Sequence, residues 1–212
     1  MKLLCPMIRA LNMRILLCLA VLSFCLPLAA RAAESQASQP VRAFLETVQS
    51  LEFPVQDPAG HAARVETANA YLDLEAMGRK GLGTHWQEAS EAEQRAFMDL
   101  LWRLIENIAY PRTRKFLEGK RVDYGEPSAA GKGFEIESRV QGDDAGLDVP
   151  ITYHVADENG TWKIFDIFLD GISMTEDLGY QFDKLIRDSG FPGLLERMRE
   201  RLAEAQKENG LL

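Results

Sequence analysis

Asp166 has the strongest claim to chemistry in this chain, being an acid set among apolar neighbours in the strand-like run Thr161 to Ser173, TWKIFDIFLDGIS. A carboxyl group denied water is pushed toward its neutral form, and a base tuned in that way works near neutral pH. The competing reading is an aspartate satisfied by hydrogen bonds at the end of a sheet. His61, His85 and His154 are scattered, and no Gly-rich phosphate loop, metal-ligand spacing or nucleophile elbow accompanies them. The sequence therefore nominates no catalytic set, no metal site and no cofactor. Asn159-Gly160-Thr161 has the form of a glycosylation acceptor, but a tight hairpin turn accounts for it more simply.

The elements that must position Asp166 follow from that turn. Both positions of an Asn-Gly loop favour residues that tolerate positive φ, so Leu147 to Val155 is the expected antiparallel partner of the TWKIFDIFL strand. A two-residue loop pairs Glu158 with Thr161, Val155 with Ile164, Tyr153 with Asp166 and Ile151 with Phe168. Alternation then puts Val149, Ile151, Tyr153, Val155, Trp162, Ile164 and Phe168 on one face. Phe165, Ile167 and Leu169 fall on the other, with Pro150, Thr152 and His154. Both faces need cover, which calls for helices on two sides or for a ligand that is itself apolar.

Upstream the period is helical. Pro40 suits a first helical turn, and Val41, Phe44, Leu45, Val48 and Leu51 follow at helical spacing until Phe53-Pro54 and Asp57-Pro58 break it. A second helix is expected over His61 to Met77, with Val65, Ala68, Tyr71 and Leu72 inward, followed by a turn containing Gly81, Gly83 and Trp86. Ser90-Glu91-Ala92-Glu93 is a capping box and starts a central helix. That helix carries Phe97, Leu100, Leu101, Leu104, Ile105 and Ile108, with a second apolar row at Met98, Trp102 and Ala109. The arc is wider than a one-sided surface helix needs, so it should face a cavity or a second layer. Pro111 interrupts it, and Arg112 to Leu117 is expected as a short helix.

The period then changes to two. Arg121 to Tyr124, Gly133 to Val140, Leu147 to Val155 and Thr161 to Leu169 read as four strands of an antiparallel meander. Helical spacing returns in Leu178, Phe182, Leu185 and Ile186 and stops at Ser189-Gly190. Pro192 then begins a last helix with Leu194, Leu195, Met198 and Leu202 inward. The expected class is α+β, a single domain with helices packed on a four-stranded antiparallel sheet.

The first 32 of the 212 residues read as a cleaved leader: Lys2, Arg9 and Arg14 precede the apolar run Ile15 to Leu28, and Ala30-Arg31-Ala32 is an A-x-A site. That run is shorter than the roughly 20 residues of a membrane span. Cys5, Cys18 and Cys25 all lie within the leader, so the remaining 33–212 domain is expected to hold together by its core alone. Of 24 basic residues the leader takes four, leaving 20 against 32 acidic ones, a net charge of −12. Such a chain is repelled by nucleic acid and by anionic bilayers.

One ordered set of motifs carries a resemblance that covers nearly all of the mature chain. It consists of Gly83-Thr84-His85-Trp86, the Ser90 to Tyr110 helix, Tyr153, and the signature at Trp162, Lys163, Asp166, Asp170, Gly171, Ile172 and Ser173. Gln181-Phe182 and Gly190-Phe191-Pro192-Gly193-Leu194-Leu195 complete it. In these the chain resembles the MlaC family, periplasmic phospholipid-binding auxiliary components of ABC transporters, also called toluene-tolerance proteins. The chain departs from the pattern where Asp177-Leu178-Gly179 replaces an Asn-Tyr-Arg common among members, and in Leu72 to Gly83. The resemblance implies a periplasmic shuttle rather than an enzyme. Its cargo would be phospholipid, carried between an outer-membrane lipoprotein complex and an inner-membrane ABC transporter complex.

A sixteen-carbon chain left in water costs on the order of 13 kcal/mol at about 0.8 per methylene, so such a carrier must hide it in a dry apolar interior. The walls expected for that interior are Leu101, Leu104, Ile105 and Ile108 of the central helix, facing Val149, Ile151, Tyr153, Ile164 and Phe168 of the sheet. A hopanoid or other lipid carrier, a small-molecule enzyme on a cone-shaped α+β fold, and a structural adaptor are the readings left beside it.

Overall fold

The computed structural model describes residues 36–142 and 147–209; the expected leader lies outside them. Helix α1 (Gln39–Gln49) carries Pro40 in its first turn and buries Val41, Phe44, Leu45 and Val48. Helix α2 (Pro58–Ala70) is capped by Asp57, whose side chain accepts from the Gly60 N–H at 3.1 Å. The single helix expected over His61 to Met77 is instead two. The chain leaves α2 at Tyr71, and Asp73 starts α3 (Leu74–Leu82) by accepting from the Ala76 N–H at 2.9 Å. Between the two helices the backbone docks on a strand: Ile164 N–H donates to the Tyr71 carbonyl and Asp73 N–H to the Ile164 carbonyl, both at 2.8 Å. A straight helix would have left that strand edge unpaired. Trp86, expected in a turn, lies in the short helix α4 (Thr84–Glu88).

Helix α5 (Glu91–Leu104) begins at the capping box, with Ser90 and Glu93 bonded reciprocally. The interruption caused by Pro111 takes the form of a π turn over Ile105–Ala109, after which α6 (Tyr110–Leu117) continues. Proline lacks an N–H and its ring crowds the carbonyl four residues back, here that of Asn107. That carbonyl instead accepts from Asn209 Nδ2 at 2.7 Å.

The sheet has six strands, not four. They are β1 (Arg121–Tyr124), β2 (Ser128–Ala130), β3 (Gly133–Gln141), β4 (Asp148–Glu158), β5 (Thr161–Leu169) and β6 (Ile172–Ser173), in the antiparallel order β1-β3-β4-β5-β6 with β2 beside β3. The two additional strands are two and three residues long, too short to show a period. The Asn159-Gly160 turn has φ of 54° and 85°, and the register holds from Glu158↔Thr161 to Val155↔Ile164. There it slips by one residue: Phe165 is left unpaired, His154 meets Asp166, Tyr153 meets Ile167 and Thr152 meets Phe168. This β-bulge reverses the faces beyond it. Ile167 turns to the Tyr153 side, while Phe168 packs on the His154 ring at 4.3 Å between centroids on the opposite side. Neither Tyr153 opposite Asp166 nor Phe168 on the face of Ile151 is found.

Helix α7 (Met174–Glu208) is broken at Gly190, whose φ of 72° is outside the helical range, and resumes beyond it with Pro192 in its first turn, as the sequence indicates. Two apolar clusters result. The sheet-side cluster joins Ile136, Val140, Ile151, Tyr153, Val155 and Ile164 to α1, α2 and α6. The helix-side cluster joins α3, α5 and α7 around Phe97, which is fully buried and meets Phe182 and Phe191 edge-on at 5.3 and 6.4 Å. Trp102 and Ile105 pack against both.

Candidate functional site

Most of the nine residues expected to wall a common interior fall in two apolar clusters, which Ile105 joins. Ile151, Tyr153 and Ile164 are buried in the sheet-side cluster, with Val149 half-buried against it. Leu101 is buried in the helix-side cluster, with Leu104 packed beside it. The sheet face is closed by α1 and α6, because their apolar stripes match it as well as that of α5 does, and a single sequence does not say which stripe meets which face. Ile105 is the one wall residue that touches both clusters, and Ile108 sits half-buried in the π turn. Phe168 is excluded from the group by the bulge.

Asp166 is fully buried and its oxygens are occupied. Oδ2 accepts from Lys80 Nζ at 2.9 Å and Ser173 Oγ at 2.7 Å. Oδ1 accepts from Thr175 Oγ1 at 2.8 Å and from the N–H groups of Ile167 at 2.9 Å and Thr175 at 3.3 Å. Burial by itself raises a carboxyl group, but the bonds from Lys80, Ser173 and Thr175 outweigh it and hold Asp166 below the ordinary aspartate value. Burial likewise opposes the charge on Lys80, yet Asp166 and Glu176 raise it. A carboxylate held in its ionised form with its oxygens occupied is a poor base and a good fastener, here tying the bulge of β5 to α3 and to the start of α7.

A cleft of about 530 Å³ opens beside the π turn, between α2, the end of α5 and the end of α7. The volume is in the ~300–1,000 Å³ range of ligand pockets. Phe53 and Val65, both part of the sheet-side packing, lie at its base. Its charged lining is Glu66, Arg103 and Glu106, with His61 and the amides of Asn69, Asn107 and Gln206 alongside. Glu106 is held from beneath: the buried Tyr110 hydroxyl donates to Asn69 Oδ1 at 2.6 Å, and Asn69 Nδ2 donates to Glu106 Oε1 at 2.9 Å. His61 is lowered by burial and by the neighbouring Arg64, against the pull of Glu106, so its ring is neutral near pH 7. Its Nδ1 is buried without a hydrogen-bond partner.

None of the nine expected residues lines this cleft. Its polar members escaped the sequence because they come from three distant segments. The available signal was Glu106-Asn107, a polar pair interrupting the apolar arc between Ile105 and Ile108, four residues before a proline. Among the described residues no group of three or more metal-ligating side chains is gathered, and no helix is long and apolar enough to cross a membrane.

The architecture is that of an α+β domain whose apolar interior is split between a sheet layer and a helix layer, with a polar-rimmed cleft at their junction. Residues 39–200 match the MlaC protein family, and the chain belongs to it. It is 24% identical over 134 residues to the intermembrane phospholipid transport system binding protein MlaC of Haemophilus influenzae, a match over 61% of this chain and 62% of that one. It thus spans about three fifths of the length of that relative. The fold is shared with the phospholipid-binding protein of Ralstonia solanacearum, solved in complex with a phospholipid. The TM-score is 0.64 at 22% identity, over 82% of this chain and 98% of the other.

Proposed function

We propose that this chain is a periplasmic lipid carrier, moving phospholipid between an outer-membrane lipoprotein complex and an inner-membrane ABC transporter complex after removal of residues 1–32. The observation that carries the reading is the seam at Trp102 and Ile105, where two apolar clusters meet beside an open cleft. Acyl chains enter between the clusters, so that Leu101, Leu104, Ile105 and Ile108 line one side and Val149, Ile151, Tyr153 and Ile164 the other. Each methylene hidden there is worth about 0.8 kcal/mol, which offsets the parting of the layers. The state of Asp166 argues against the enzyme reading, since this acid, the best placed for chemistry, is neither exposed nor free.

Organic extraction of the purified folded protein, followed by mass spectrometry, should recover phospholipid, and product analysis of a phospholipid mixture should find no hydrolysis or isomerisation. Folded protein carrying no lipid of any kind would sink the proposal. The seam has its own test in Val149→Trp, at a half-buried position. It is expected to lower bound lipid while leaving the melting temperature of the lipid-free protein nearly unchanged. A substitution that overfills an ordinary packed core instead costs about 1–3 kcal/mol, and that result with lipid retained would show Val149 to be plain core.

A further inference from the structure

We propose that the cleft beside the π turn is a headgroup site selective for zwitterionic aminophospholipids, with Glu66 and Glu106 receiving the ammonium and Arg103 the phosphate. The inference rests on the carrier reading and deepens it.

The cleft adjoins the seam: Glu106 and Asn107 directly follow Ile105, and Val65 at its base belongs to the sheet-side cluster. A lipid with its chains between the layers therefore brings its phosphate end here. The charge of the lining selects among headgroups. Within the lining two carboxylates stand against one guanidinium, the Arg64 charge beside His61 is offset by that of Asp99 beside Arg103, and the neutral His61 adds no positive charge. A headgroup whose only charge is its phosphate meets an excess of negative charge, whereas one that also carries a primary ammonium matches both signs.

An ammonium bearing N–H groups also makes charge-assisted hydrogen bonds to carboxylates, which a quaternary choline lacks. Glu106 is built for this role. The Tyr110–Asn69 relay engages Oε1 and fixes in place a side chain that lines the cleft. Such preorganisation reduces the ordering cost on binding. Arg103, three residues before Glu106, is linked to Asp99 at 3.6 Å through Nη1, and its remaining N–H groups are available to a phosphate.

The test offers the mature protein mixed vesicles containing equal parts of phosphatidylethanolamine, phosphatidylcholine and phosphatidylglycerol with identical acyl chains, then quantifies the lipid bound by mass spectrometry. Phosphatidylethanolamine should exceed phosphatidylglycerol by about fivefold, a modest discrimination because the cleft is open to solvent. Glu66→Gln, at an exposed position that does not threaten the fold, should lower the ratio. The double variant Glu66→Gln with Glu106→Gln, in which the amide oxygen still accepts from Asn69, should bring the ratio near one. Bound lipid that mirrors the vesicles in the wild type, or a preference that survives both substitutions, overturns the headgroup site and leaves the carrier standing. Protein that takes up none of the three lipids overturns the carrier reading itself.

Discussion

Asp166→Ala is expected to lower folding stability by about 3–5 kcal/mol, because it removes the buried acceptor shared by Lys80, Ser173, Thr175 and Ile167. Lys80 is half-exposed and recovers water, so most of the loss falls on the hydroxyls of Ser173 and Thr175 and on the N–H groups of Ile167 and Thr175. Asp166→Asn keeps the shape and one acceptor oxygen, and should lose about 1–3 kcal/mol with lipid binding largely intact. The pH dependence has a definite sign. The folded carboxyl titrates below its unfolded value of about 3.9, so its stabilisation is fully present above that value and is lost as pH falls through the depressed one. Urea midpoints of the wild type and Asp166→Asn should thus stay apart above pH ~5 and converge below pH ~4. A gap that widens on acidification would show that the carboxylate is not the stabilising species.

Gly179→Ala is expected to destabilise by about 2–3 kcal/mol, against the gain of roughly 0.5–1 kcal/mol that alanine ordinarily brings to a helix interior. A Cβ at Gly179 would lie 2.8 Å from the Gly81 carbonyl oxygen, so α3 and α7 touch backbone to backbone and neither can yield alone. The stretches Leu72 to Gly83 and Asp177 to Gly179 thereby meet at this crossing. A thermal melt of Gly179→Ala at or above the wild-type temperature would mean that the two helices can part freely at this crossing.

What the sequence made legible was set by local rules. The Ser90 capping box, the breaks at Pro111 and Gly190 and the Asn159-Gly160 hairpin all stand where expected, since each depends on a few adjacent residues. The register failed at Phe165 because IFDIFL is apolar on both faces, and such a strand does not say which residue to leave unpaired. Helical spacing continues across Asp73, so the periodicity predicts one helix over His61 to Met77 even though Asp73 caps Ala76 and starts another. The site was the least legible part. Which apolar stripe covers the sheet, and which polar residues share a cleft, are properties of packing between segments tens of residues apart.

In the π turn the Tyr110 N–H reaches back five residues to the Ile105 carbonyl. An α-helix advances about 100° per residue, so taking in one extra residue rotates everything downstream by about that angle. Upstream, Phe97, Leu100 and Leu101 point into the helix layer; downstream, Tyr110 and Leu117 point into the sheet layer. The turn therefore acts as a phase shifter, letting one nearly continuous rod be shared by two interiors. Its length is consequently quantised: between Leu101 and Tyr110 a single residue gained or lost would re-aim every side chain beyond it.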